Sequence, residues 1–192
     1  MARNVEFDEE QAIQRAMEVF WRKGYKGASL RDLTDAMKIN SSSLYNTFRD
    51  KHELFVRCLQ RYTKGREQDY QKRASGSKLP WIILVKFIND SVTEIICGTS
   101  SCMAIKAAFE VASEDKRVQD ILKADSDAGY RFFCSLITRA MAQGEISDEE
   151  DPELLTDYFI STYIGWHESF ILHRDPAKIK KMAQYFVKQI SR

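Results

Sequence analysis

The chain has 192 residues, 44% hydrophobic and 30% charged, enough for one substantial core or for a small domain joined to a larger one. No apolar run approaches the ~20 residues of a membrane span, and the opening Met-Ala-Arg-Asn-Val-Glu-Phe-Asp lacks the apolar segment of a secretory signal, so a cytoplasmic protein without membrane contact is expected. The net charge of +1 hides a split: residues 1–73 carry 15 Lys and Arg against 11 Asp and Glu, and between Lys26 and Arg66 nine basic residues face four acidic ones. A locally basic segment in a near-neutral chain suits a small domain that meets phosphates.

The elements all read as helix, with no sustained period-2 alternation and only 3 prolines and 8 glycines to break them. The first helix opens near Asp8, and Ile13, Ala16, Met17 and Phe20 form one stripe at helical spacing before Gly24 stops it. Ser29 caps a short helix with Asp32 three residues on, close to a capping box, and Leu30, Leu33, Ala36 and Met37 face one way. After the turn Lys38-Ile39, Asn40 caps Ser41 to Thr47. Asp50 then starts a long amphipathic helix through Leu54, Phe55, Cys58, Leu59 and Tyr62 that fades near Arg73.

Ala74 to Lys78 reads as the linker, placing one domain at 1–73 and another at 79–192. Beyond it, Leu79 to Ile96 is a helix with Pro80 in its first turn, and Cys102 to Ala112 is apolar on nearly every side, as a buried helix would be. A short piece around Val118, Ile121 and Leu122 leads into a long helix ending at Gly144. Asp151-Pro152 and Asp175-Pro176 are matched starts for the last two helices.

Catalytic signatures are missing. The chain has no G-x-G-x-x-G, P-loop, H-E-x-x-H or G-x-S-x-G, and His52, His167 and His173 have no evident partners, so no enzyme is expected. Cys58, Cys97, Cys102 and Cys134 are scattered without a C-x-x-C pair, which argues against a metal site, and no cofactor is expected. Two short helices joined by a three-residue turn are what a DNA-reading unit requires: the first braces and the second enters the major groove. Ser41, Ser42, Ser43, Asn46 and Thr47 form a face able to hydrogen-bond base edges, with Leu44 and Phe48 turned inward. The residues alone equally allow a short solvated helix with polar caps.

The run from Phe20 to Phe55 (an aromatic, then Gly-Tyr, a Ser cap, Leu-Tyr-x-x-Phe, and Lys-x-x-Leu) closely resembles the N-terminal domain of the TetR/AcrR repressor family. The remainder is similar more loosely, at Ser101-Cys-Met103, at Ala140 to Ile146 and in a late Pro-Glu-Leu helix. The resemblance implies an all-α protein: an N-terminal three-helix helix-turn-helix domain and a larger C-terminal helical domain for ligand binding and dimerisation. It implies phosphate contacts from Ser29, Tyr45 and Lys51, a guanine contact from Arg31, and base or backbone contacts from Ser41, Ser42, Ser43, Asn46 and Thr47. Lys51 has little structural reason of its own to stand where it does. Two positions depart from the family pattern, Lys38 where Gly is usual and Arg49 where a small residue is frequent.

The same resemblance implies double-stranded operator DNA as partner and a homodimer through the last two helices, Glu153 to His173 and Ala177 to Ile190, with Tyr158, Phe159, Tyr163, Trp166 and Phe170 as aromatic surface. It also implies a small-molecule effector among the middle helices, with Trp81, Phe87, Phe109, Tyr130, Phe133, Trp166 and His167 as lining candidates. Cys102, at a helix start where a thiolate is favoured, joins them as a possible redox sensor. The competing reading is a helical protein–protein adaptor, whose docking would not weaken with salt as DNA binding does.

Overall fold

The computed structural model describes residues 7–76, 79–98 and 102–191. Among them are nine helices and no strand: α1 Glu9–Gly27, α2 Leu30–Met37, α3 Ser41–Phe48, α4 Lys51–Ala74, α5 Pro80–Cys97, α6 Met103–Glu110, α7 Lys116–Ala142, α8 Pro152–His173 and α9 Pro176–Ile190. Local chemistry sets the starts. Asp8, Asn40, Asp151 and Asp175 each accept a backbone N–H of the helix they precede, and prolines occupy the first turns of α5, α8 and α9. Ser29 and Asp32 form a complete capping box.

Three elements differ from the sequence reading. Gly24 kinks α1 rather than ending it, with φ 74° and ψ 175°. The segment expected as a short piece plus a long helix is one helix, α7. And α6 is not buried all round, since Phe109 is 80% exposed.

The chain packs as two compact units, and the division does not follow the linker at 74–78. The first unit comprises Met1–Gly65 with Cys102–Lys123, the second Arg66–Ser101 with Ala124–Arg192. Thus α6 and the start of α7 belong with the helices of the N-terminal region. The first unit's core holds Ala16, Phe20, Leu33, Leu44, Phe48, Leu54, Phe55 and Leu59, closed by Met103, Ala107, Val111 and Val118 from the later segment. Polar contacts reinforce it. Lys106 donates to the carbonyls of Trp21 (2.7 Å) and Arg22 (3.2 Å), His52 pairs with Asp115, and Arg117 grips Glu53 at 2.6 and 3.2 Å. Lys106 thereby satisfies carbonyls left open where α1 kinks.

In the second unit α5, α8 and α9 pack together around Leu84, Ile88, Phe133, Leu136, Ile137, Phe159, Trp166, Ile179 and Phe186. Phe87, Phe133 and Phe159 meet edge to face at 4.7 and 4.8 Å, an arrangement favoured by aromatic quadrupoles.

Candidate nucleic-acid interface

The first unit presents α2, a turn at 38–40, and α3. Leu33 and Met37 hold α2 inward, and Leu44 and Phe48, both fully buried, hold α3. With those anchors fixed, the opposite face of α3 points to solvent: Ser41, Ser42, Tyr45 and Asn46 are exposed, while Ser43 and Thr47 are half-buried at its edges. Asn40 accepts the Ser43 N–H at 2.8 Å, which leaves the serine hydroxyls free of capping duty. The face is rich in donors and acceptors and carries no charge.

The other predicted contacts stand around it. Arg31 projects from α2 with a side chain 91% exposed, 3.7 Å from Asp35. The Ser29 hydroxyl donates to Asp32 at 2.7 Å and accepts the Asp32 N–H at 3.1 Å, so it is occupied by the cap. Hydrogen bonds from Lys23 and from Ser29 hold the Asp32 carboxyl well below the usual carboxylate range. Lys51 does have a structural partner, contrary to the sequence reading: its ammonium lies over the Tyr25 ring, 4.7 Å from the centroid. Burial there pulls the Lys51 pKa below its ordinary value, opposed by the Glu110 carboxylate. Nothing in the local pattern around residue 51 signals a ring 26 positions earlier.

Lys38 and Arg49 bracket α3. Lys38 is left-handed, φ 59° and ψ 40°, as the C-cap of α2. Arg49 has φ 67° and ψ −52°, with the Asp50 N–H donating to the Phe48 carbonyl at 2.8 Å. That is a γ-turn of the rarer, strained hand. Each conformation costs a non-glycine residue roughly 1 kcal/mol or more.

The predicted effector residues do not form one group. Trp81, Phe87, Tyr130, Phe133, Trp166 and His167 belong to the second unit, and Cys102 and Phe109 to the first. Phe87, Phe133, Trp166 and His167 are buried, and Trp81 and Tyr130 half-buried. His167 meets Tyr163 edge to face at 4.9 Å, and burial followed by the nearby Arg66 charge pushes its pKa down to about 4. Among the described residues, Trp166 Nε1, His167 Nε2 and Ser169 Oγ are buried polar atoms without a hydrogen-bond partner. A cleft of about 160 Å³ lies elsewhere in this unit, lined by Glu67, Tyr70, Gln71, Ala74, Ala128, Arg131 and Phe132. None of the predicted residues lines it, and it is smaller than the ~300–1,000 Å³ of ordinary ligand pockets.

Cys102 stands at the start of α6, 7% exposed, with its sulfur 3.3 Å from the Tyr62 hydroxyl. Of the last two helices' aromatics, Phe159 and Trp166 are fully buried in the intramolecular core. The exposed large apolar side chains there are Leu154, Tyr158, Ile164, Ile171 and Leu172 on α8 and Tyr185 on α9. No helix among the described residues is long and apolar enough to cross a membrane, and no group of three metal-ligating side chains is found among them.

Residues 12–58 match the family described as bacterial regulatory proteins, tetR family, and residues 96–186 match the tetracyclin repressor-like C-terminal domain. The chain is 30% identical over 158 residues to YezE, an HTH-type transcriptional regulator of Bacillus subtilis (strain 168), covering 78% of each chain. The chain belongs to the TetR family. As a TetR-family transcriptional regulator it also matches the Escherichia coli (strain K12) repressor ComR, 24% identical over 93% of this chain and 85% of that one. Among solved structures, a cysteine mutant of the TetR-family regulator CifR complexed with 26bp double-strand operator DNA superposes with a TM-score of 0.81, at 26% identity, over 97% of this chain and 98% of that chain. The all-α architecture with an N-terminal helix-turn-helix is that of the family.

Proposed function

We propose that this TetR-family chain is a cytoplasmic, non-enzymatic repressor that binds a palindromic operator as a homodimer and releases it on binding a small-molecule effector. The observation that carries the DNA reading is the uncharged, hydrogen-bonding outer face of α3, held outward by the buried Leu44 and Phe48 and preceded by α2 across a short turn. In this reading α3 enters the major groove. Ser41, Ser42, Ser43, Asn46 and Thr47 meet bases or backbone, Arg31 reaches a guanine, and Ser29, Tyr45 and Lys51 hold phosphates. That CifR was solved with operator DNA supports it.

Dimerisation through α8 and α9 is supported by Leu154, Tyr158, Leu172 and Tyr185, each more than half exposed; large apolar side chains gathered on one pair of helices mark an association surface. The proposed effector site lies in the second unit near His167. Buried polar atoms without partners cost about 1–3 kcal/mol each, and a ligand group that pairs with His167 Nε2 or Ser169 Oγ removes that cost. His167 is neutral near pH 7, so in this reading it meets the ligand as an uncharged imidazole.

The test is binding of the purified chain to duplex DNA across a range of salt. Affinity that falls steeply with salt supports the DNA reading. Salt-independent capture of a protein, with no duplex binding, supports the adaptor instead.

A further inference from the structure

From Ser41 to Phe48, α3 carries no charged residue, so the base-reading helix has no cation for the phosphates on either side of the groove. Cations stand at both of its ends. Lys38 lies two residues before the cap Asn40, and Arg49 closes the helix; both are exposed. Both also have positive φ, 59° and 67°, where glycine is unpenalised and a long side chain is not. Among the described residues neither side chain makes a hydrogen bond or ion pair, only the backbone N–H groups being bonded; Glu53 feels Arg49 only through space. Arg174, the third non-glycine residue with positive φ among the described residues, lies 5.5 Å from the Phe170 ring centroid and so has a packing partner. Lys38 and Arg49 have no such reason to be long and basic.

We propose that Lys38 and Arg49 form a basic bracket around α3 that grips the DNA phosphates flanking the bases being read. This rests on the reading of the first unit as the DNA-binding one. The bracket supplies affinity rather than sequence preference, because phosphates carry no base information. Each contact releases counterions and adds about 0.9 to the slope of log affinity against log salt. Strained backbone is retained at functional positions when the side chain it presents is needed there.

The full chain, titrated with a labelled mixed-sequence duplex at several salt concentrations, tests this with two readouts of opposite sign. Arg49→Gly and Lys38→Gly each raise the melting temperature by about 2–4 °C as strain is relieved, and each lower the salt slope by about 0.9. Arg49→Gln keeps the strain and most of the length without the charge, so it loses slope with no thermal gain, and Arg49→Lys restores the slope. Glycine and glutamine variants that keep the wild-type slope and affinity overturn the bracket while leaving the DNA reading intact. A wild type that shows no salt-dependent duplex binding overturns both.

Discussion

Glu110 accepts the backbone N–H of Tyr25 at 2.8 Å, 85 residues back along the chain, at the kink that Gly24 makes in α1. A Cβ on residue 24 would strike that carboxylate, and φ of 74° already disfavours any side chain there. Gly24→Ala therefore loses both backbone freedom and the Glu110 hydrogen bond, about 2–4 kcal/mol together. Glu110→Ala alone costs about 1.5–3 kcal/mol. Because both remove the same contact, the double variant is less destabilised than the sum, by at least about 0.5 kcal/mol in a denaturation cycle. Strict additivity would mean that the contact does not hold the kink.

The reading face separates fold from recognition. Arg31→Ala and Asn46→Ala leave stability within about 0.5 kcal/mol and lose about 1–3 kcal/mol of discrimination at one base pair each. Lys51→Ala weakens binding to all duplexes alike, lowers the salt slope by about one unit and loses roughly 0.5–1 kcal/mol of stability with the Tyr25 contact. Phe48→Ala, by contrast, costs about 3–5 kcal/mol through the buried volume it empties. Melting curves beside competition binding with cognate and scrambled duplexes distinguish the three patterns.

His167 makes stability depend on pH. Its pKa is about 4 when folded against 6.5 for the free side chain, so the unfolded chain takes the proton first. Its contribution is complete above about pH 6.5 and is lost as pH falls toward 4, amounting to about 3 kcal/mol at most. His167→Gln flattens that part of the profile. A wild-type midpoint that is constant from pH 7 to pH 4.5 in urea would rule out the buried neutral imidazole.

The cysteines should react in order of access. Cys97 is exposed, Cys134 half-buried, and Cys102 and Cys58 are buried, with burial pushing the Cys58 thiol well above its ordinary value. A maleimide followed by peptide mass mapping labels Cys97 first and Cys58 last. Labelling of Cys102 ahead of Cys97, with loss of DNA binding that Cys102→Ser prevents, would establish the thiol-switch reading in place of a reversible effector.

Much of this fold was legible because it is written locally. Ser29, Asn40, Asp151 and Asp175 each act within a few residues of themselves, and helical periodicity places Leu33, Leu44 and Phe48 inward. What escaped depends on partners far along the chain. Lys106 and Glu110, four apart on α6, look like an ordinary surface pair, yet both are spent on backbone groups of α1, which brings α6 into the first unit. Lys51 over Tyr25 and the exposure of Phe109 are set by packing that no spacing encodes. The face of α3 could be read from composition as polar, but its outward aim follows from the complete burial of Leu44 and Phe48.

In the proposed function this chain reads a symmetric DNA site as a dimer. Selection of bound duplexes from a random library with the purified full-length protein tests it most directly. A dimeric reader enriches a palindromic consensus whose half-sites are related by a two-fold axis and spaced to suit the DNA helical repeat, with Asn46→Ala blurring one symmetric pair of positions. Enrichment of no sequence, or of a single asymmetric site, would contradict it.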